Sequence, residues 1–155
     1  MVFQAPPLFS LVVKFTATSL NVTPPSYASE GSAAFDFPYP DGLPQLRIAP
    51  GQMLPVPTGL YVEVPKGYQL LLFARSGNAF RHRVSLQNGV GIIDSDYRGE
   101  IVGLVSNAGP APFFIDPGDR FMQGQVLPVI HTIFVPSDSL SQTERGAGGF
   151  GSTGA

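Results

Sequence analysis

The sequence contains no cysteine. That excludes disulfides, thiolate chemistry and cysteine zinc sites. Charge is also scarce: Asp, Glu, Lys and Arg make up 13% of the chain, about half the usual ~25%. The net charge is −2 and the isoelectric point near 5.5. Neither provides the basic footprint of a nucleic-acid binder, so no nucleic-acid partner is expected. No apolar run approaches the ~18 residues of a membrane span. The first residues, "MVFQAPPLFSLVVKF", lack a basic n-region and place two prolines ahead of the apolar stretch, a poor signal peptide. The expectation is a soluble intracellular protein, cytoplasmic (inside the host cell if viral), in which the sequon Asn21-Val22-Thr23 goes unused. No segment carries the periodicity of a long helix.

Turn formers and short apolar runs are plentiful. The chain holds 18 glycines and 16 prolines in 155 residues. This length fits one domain with a substantial buried core. "LVVKFTA" (11–17), "GLYVEV" (59–64), "YQLLLFA" (68–74), "EIVGLVSN" (100–107) and "VLPVIHTIFV" (126–135) are rich in β-branched and aromatic residues and read as strands. "PDGLP", "APGQ", "VPKG", "NAGPAP" and "DPGD" separate them as turns. Short strands with Pro/Gly corners predict an all-β sandwich, jelly roll or barrel. One or two helical turns are expected at 76–81. From Pro136 onward the apolar pattern stops. We therefore expect a β domain over 1–137 and a flexible glycine-rich arm over 138–155, too poor in apolar surface to order itself.

Four stretches concentrate chemistry. "GVGIIDSDYRGEI" (89–101) reads as a β-hairpin with Asp94, Ser95 and Asp96 at its tip. Polar turns are common and a lone Asp-x-Asp is a weak metal signal, but Tyr97 beside two carboxylates raises this one above an ordinary turn. In "ARSGNAFRHR" (74–83), Ser76 and Gly77 start the short helix, and Arg75 adds a bidentate phosphate partner. Arg81, His82 and Arg83 read as surface or subunit contacts. "PGDRFMQGQVLP" (117–128) places Arg120 and Gln123 on a strand, where edge polarity is the ordinary explanation. The tail "RGAGGFGSTG" has the composition of a phosphate loop but no Walker lysine, and Arg145 and Phe150 are odd in a pure spacer. The two histidines are far apart in sequence, and no metal-ligand spacing involves them.

Together and in this order, the stretches resemble the trimeric dUTPase family. "GSAAFDFPYP" (31–40) is similar to its first motif and "ARSGNA" (74–79) to its second. "GVGIIDSDYRGE" (89–100) matches the third closely, "PGDRFMQGQVLPV" (117–129) resembles the fourth, and "RGAGGFGSTG" (145–154) closely matches the fifth. The resemblance runs from about Lys14 to Gly154.

It implies a jelly-roll-like β-barrel of the dUTPase or β-clip type, a homotrimer, and active sites at subunit interfaces. It also implies hydrolysis of dUTP to dUMP and pyrophosphate, with Mg²⁺ held by substrate phosphates and water. By motif position, Asp94 is the catalytic residue that activates the attacking water. Asn88 and the backbone at Ile92 and Ile93 pair with uracil. Tyr97 packs on the deoxyribose. Arg75, Ser76, Gly77 and Gln123 bind the phosphate chain. Asp36 joins the water and Mg²⁺ network, not as a direct ligand, with Arg120 as an ion partner. In the arm, Arg145 reaches the γ-phosphate, Phe150 stacks on uracil, and the amides of residues 148–152, Gly151 and Ser152 among them, wrap the phosphates. These residue types suit a triphosphate, and a rigid backbone distinguishes uracil from cytosine by donor pattern and from thymine by shape.

The chain departs from the family at Ala34 and Phe37, where glycine and leucine are usual, at Asn78, where an apolar residue is preferred, and at the bulky pair Phe121 and Met122. Two other readings stand beside dUTPase at this point: a dCTP deaminase or bifunctional deaminase–dUTPase of the same fold, and a non-catalytic regulatory or structural jelly-roll module.

Overall fold

Alternating side chains build the strands. In segment 100–107, Ile101, Gly103, Val105 and Asn107 turn inward while Val102 faces solvent, the two-residue period of a strand with one face on a core. The computed structural model describes residues 10–19, 22–150 and 152. Its strands are β1 (Lys14–Ala17), β2 (Ser26–Tyr27), β3 (Phe35–Pro38), β4 (Leu46–Ile48), β5 (Met53–Glu63), β6 (Tyr68–Ala74), β7 (Val84–Leu86), β8 (Gly91–Ile93), β9 (Glu100–Asn107), β10 (Phe113–Ile115) and β11 (Arg120–Pro128). One short helix, α1 (Ser76–His82), interrupts them. No helix of the described residues is long and apolar enough to cross a membrane.

Two sheets carry the fold, in the orders β2-β3-β11-β6-β8 and β1-β5-β9-β7, with a small β10-β4 ribbon beside them. Every pairing is antiparallel. The result is the expected jelly-roll-like all-β fold, built from open sheets rather than a closed barrel. Ile48, Leu60, Leu70, Ile101, Ile115 and Met122 are among the side chains fully enclosed by it. Among the described residues, the fully buried polar side chains of Thr58 and Asn107 are both satisfied. Thr58 Oγ1 donates to Ile101 O at 2.7 Å, and Asn107 Nδ2 donates to Ile48 O at 2.9 Å and Ala111 O at 2.8 Å.

Three expectations change. The strand expected over 126–135 stops at Pro128. Residues beyond it find no neighbouring strand within the chain, so Ile130, Ile133, Phe134 and Val135 stand exposed. Over 11–17, only Lys14–Ala17 pairs, with β5. The acidic stretch is not a hairpin tip: β8 pairs with β6 in one sheet, and β9 with β5 and β7 in the other. Residues 94–99 are therefore the crossover between sheets.

The bulky pair Phe121 and Met122 is accommodated from the opposite sheet. A Cβ on Gly103 of β9 would lie 2.7 Å from Phe121 Cε2 and 2.9 Å from Met122 Sδ. The glycine leaves the space these side chains fill. Gly103→Val should therefore overpack the interface and cost about 1–3 kcal/mol. Thermal unfolding reads this as a melting temperature several degrees lower, and an unchanged value would show that the interface yields.

Candidate functional site

Three adjacent strands bring the first set of site residues together. Asp36 on β3 stands opposite Gln123 on β11, and Gln123 opposite Phe73 on β6. Arg75 directly follows β6, and Ser76 and Gly77 open α1. These residues line one cavity of about 500 Å³, along with Arg81 and Gln125. Because β11 is the central strand of its sheet, edge polarity does not explain Gln123. Its Nε2 donates to Ala74 O at 2.9 Å, which fixes the amide and leaves one N–H and the carbonyl oxygen for other partners.

Asp36 is the hub. Its side chain is only 8% exposed, yet it carries a charge. Arg75 Nε donates to Oδ1 at 2.8 Å and Arg120 Nη1 to Oδ2 at 3.2 Å. An isolated carboxylate at that depth would be costly, and two guanidinium groups offset the loss of water. Arg75 is held a second time, by a bond from Nη1 to Arg120 O at 2.9 Å. The cavity thus contains a pre-oriented guanidinium of the kind that binds phosphate.

The crossover loop is fastened independently of its acids. Arg98 Nη1 donates to Ser95 O and Tyr97 O, both at 2.8 Å. Tyr97 Oη donates to Glu100 O at 3.0 Å, and its ring lies over Gly99, where a Cβ would collide with it. Glu100 Oε1 accepts from Gly59 N at 2.7 Å, tying the loop to β5. The Asp94 carboxylate makes no hydrogen bond or ion pair to another described residue, and Asp94 is exposed. A carboxylate free at the surface of a braced loop is available to take a proton.

The segment before it offers a second recognition surface. β8 is the outermost strand of its sheet, paired only with β6. Its other edge presents unpaired backbone donors and acceptors from Gly91–Ile93, which suits the hydrogen-bonding edge of a planar base. Ile92 is 61% exposed beside it. Asn88 lies in the turn leading to β8, its carbonyl accepting from Val90 N at 2.8 Å.

These two groups do not meet within one chain. Ile93, next to Asp94, pairs with Leu70 near the start of β6, whereas Arg75 follows the end of that strand. Five residue steps separate Leu70 from Arg75, roughly 17 Å at a strand's rise. Asp94 and Tyr97 do not line the Arg75 cavity. The arm residues stand apart as well. Arg145 Nε donates to Gly148 O at 2.9 Å, Phe150 is fully exposed with φ 47°, and Ser152 N donates to Gly149 O at 3.1 Å. Gly151 lies outside the described residues.

Arg81 is a charged lining residue that sequence reading did not place here. His82 packs against Phe113, with ring centroids 5.3 Å apart, but Arg81 lines the cavity rather than serving only as surface. The signal was present in its spacing: Gly77 and Arg81 are four apart, on one face of α1.

Comparison with known proteins follows the same lines. The family model described as dUTPase matches residues 21–154. The deoxyuridine 5'-triphosphate nucleotidohydrolase of Desulfitobacterium hafniense (strain DSM 10664 / DCB-2) is 46% identical over 149 residues, covering 94% of this chain and 97% of its own. The Staphylococcus bacteriophage 80alpha dUTPase, solved with dUPNHPP, superposes with a TM-score of 0.83 at 21% identity, covering 94% of this chain and 100% of its own. A mutant dUTPase from phage phi11 of S. aureus, whose structure describes coordination of a structural Mg(II) ion, gives a TM-score of 0.73 at 18% identity, covering 83% and 98%. At such identities the two phage structures speak for the fold alone. The family match over nearly the whole chain and the 46% identity speak for more: this chain belongs to the dUTPase family.

Proposed function

We propose that this chain hydrolyses dUTP to dUMP and pyrophosphate at active sites shared between subunits of a homotrimer. The observation that carries the reading is the cavity of β3, β6 and β11. Its polar lining of Arg75, Ser76, Gly77 and Gln123 is the chemistry that receives a polyphosphate.

The uracil pairs with the open edge of β8 at Ile92 and Ile93 and with Asn88, while Tyr97 packs on the sugar. A 2′-hydroxyl has no room there. Asp94 accepts the proton of the water that attacks the α-phosphorus. Negative charge growing on the leaving pyrophosphate is met by Arg75 and Gln123 of a different subunit. The roughly 17 Å between the end of β8 and Arg75 is why one chain is not enough. The exposed run Ile130, Ile133, Phe134 and Val135 is surface that a neighbouring copy covers. The arm then closes over the nucleotide, with Arg145 on the γ-phosphate, Phe150 on uracil, and Gly151 and Ser152 along the phosphates.

Mg²⁺ fits this site as a companion of the substrate. Among the described residues, no three His, Asp or Glu side chains converge on one point, and both oxygens of Asp36 are already engaged. Magnesium keeps several waters and binds readily through phosphates, so Asp36 relates to it through water. Once bound, it supplies charge neutralisation on the phosphate oxygens.

The test is pyrophosphate release from dUTP, dTTP, dCTP and UTP with Mg²⁺ present. Release from dUTP, far above the other three, is expected. Ammonia from dCTP, or no turnover of dUTP, overturns the reading.

A further inference from the structure

The proposed phosphate cavity contains a second arginine with no assigned task. Arg75 is committed to Asp36 and to Arg120 O, and Arg120 is committed to Asp36. Arg81 lines the same cavity, yet among the described residues it forms no ion pair and its guanidinium donates no hydrogen bond. Its guanidinium lies across Gly77. A Cβ there would be 2.8 Å from Nη2, 3.4 Å from Cζ and 3.7 Å from Nη1. Glycine at 77 is therefore what lets the Arg81 head group lie against the backbone of the cavity wall. The charge balance points the same way. Among the charged residues that line the cavity, one carboxylate, Asp36, stands against two guanidinium groups, those of Arg75 and Arg81, a balance that favours an anion.

We propose that Arg81 is a further phosphate-binding residue, an adjustable cation that leaves Gly77 to grip the pyrophosphate portion of the substrate. The inference rests on the reading of the cavity as a polyphosphate site. Arg75, held at two points, supplies fixed orientation. Arg81, on a long side chain without a fixed partner, follows the β- and γ-phosphates as they separate from the α-phosphate. Because the group it grips is the leaving group, Arg81 distinguishes triphosphate and pyrophosphate from monophosphate.

Calorimetric titration of the full-length protein with pyrophosphate and, separately, with dUMP tests this, alongside steady-state kinetics on dUTP. Arg81→Ala should weaken pyrophosphate binding by at least about tenfold, the loss of one charge-assisted contact. It should raise KM for dUTP comparably and leave dUMP affinity within about twofold. Arg81→Lys should recover part of the loss, because it keeps the charge without the fork. Melting temperatures should match the parent, since Arg81 has no ion pair to lose. Unchanged pyrophosphate affinity in Arg81→Ala overturns the proposal, and so does an equal loss for dUMP. Failure of the parent protein to hydrolyse dUTP would instead count against the underlying reading.

Discussion

Replacing Asp94 by asparagine should leave dUTP binding close to normal and reduce turnover by roughly 10²–10⁴-fold, the range expected of a positioned general base. The substitution is clean for structural reasons. The loop around Asp94 is held by Arg98 on Ser95 O and Tyr97 O, by Tyr97 on Glu100 O, and by Glu100 on Gly59 N. None of these bonds uses the Asp94 carboxylate. Asparagine keeps the shape and removes only the basic oxygen. Steady-state kinetics and a binding titration with dUTP separate the two effects, and near-normal turnover would exclude Asp94 as the base.

The same variant tests the shared site. Arg75→Gln should also be weak in activity, because it loses the cation while keeping a donor for Asp36. Chains carrying Asp94→Asn, co-refolded with an equal amount of Arg75→Gln chains, should regain activity. In randomly mixed trimers, about a quarter of sites would combine an intact Asp94 from one subunit with an intact Arg75 from another. A site contained in one chain would regain nothing.

Deleting residues 144–155 should leave the melting temperature nearly unchanged and cut activity by a hundredfold or more. The first half follows from the bonds present. The described arm residues bond only within the arm: Gly146 N to Thr143 O, Gly148 N to Arg145 O and Arg145 Nε to Gly148 O. The second half follows from what is removed. Stacking on a base contributes about 1–3 kcal/mol, and an arginine on phosphate about 1.5–3 kcal/mol. A truncated protein that unfolds would show that the arm belongs to the fold, and one with full activity would remove it from the site. Phe150→Ala alone should lose the stacking share, read as a higher KM for dUTP.

Much of this was legible in the residues because it is local. Strand β6 appears with the bounds its apolar run sets, as does β9, since a two-residue burial period is written directly in sequence. The short helix that Ser76 and Gly77 start, expected over 76–81, forms over Ser76–His82. The family's motifs single out Asp36, Asp94 and Gln123 among the polar residues. Where reading along the chain failed, the cause was pairing. "VLPVIHTIFV" has strand composition throughout, but among the described residues only its first three pair with another strand, and Val129 N adds a single bond to Gly67 O. Likewise, "GIIDSDYRGEI" has hairpin composition, but its two strands pair with different neighbours.

By itself, the sequence determined the class of fold, the turns, the absence of any cysteine chemistry, and the residue types of the proposed nucleotide site. These depend on propensity, period and side-chain chemistry, which each residue carries with it. The tertiary structure decided what register and depth decide. It set Gln123 opposite Asp36 on a central strand, clasped Asp36 between Arg75 and Arg120, and laid Arg81 across Gly77. It also put Asp94 and Arg75 at opposite ends of β6. Most of these relations join residues far apart in sequence, and only the order and register of strands within one sheet bring them into contact or hold them apart.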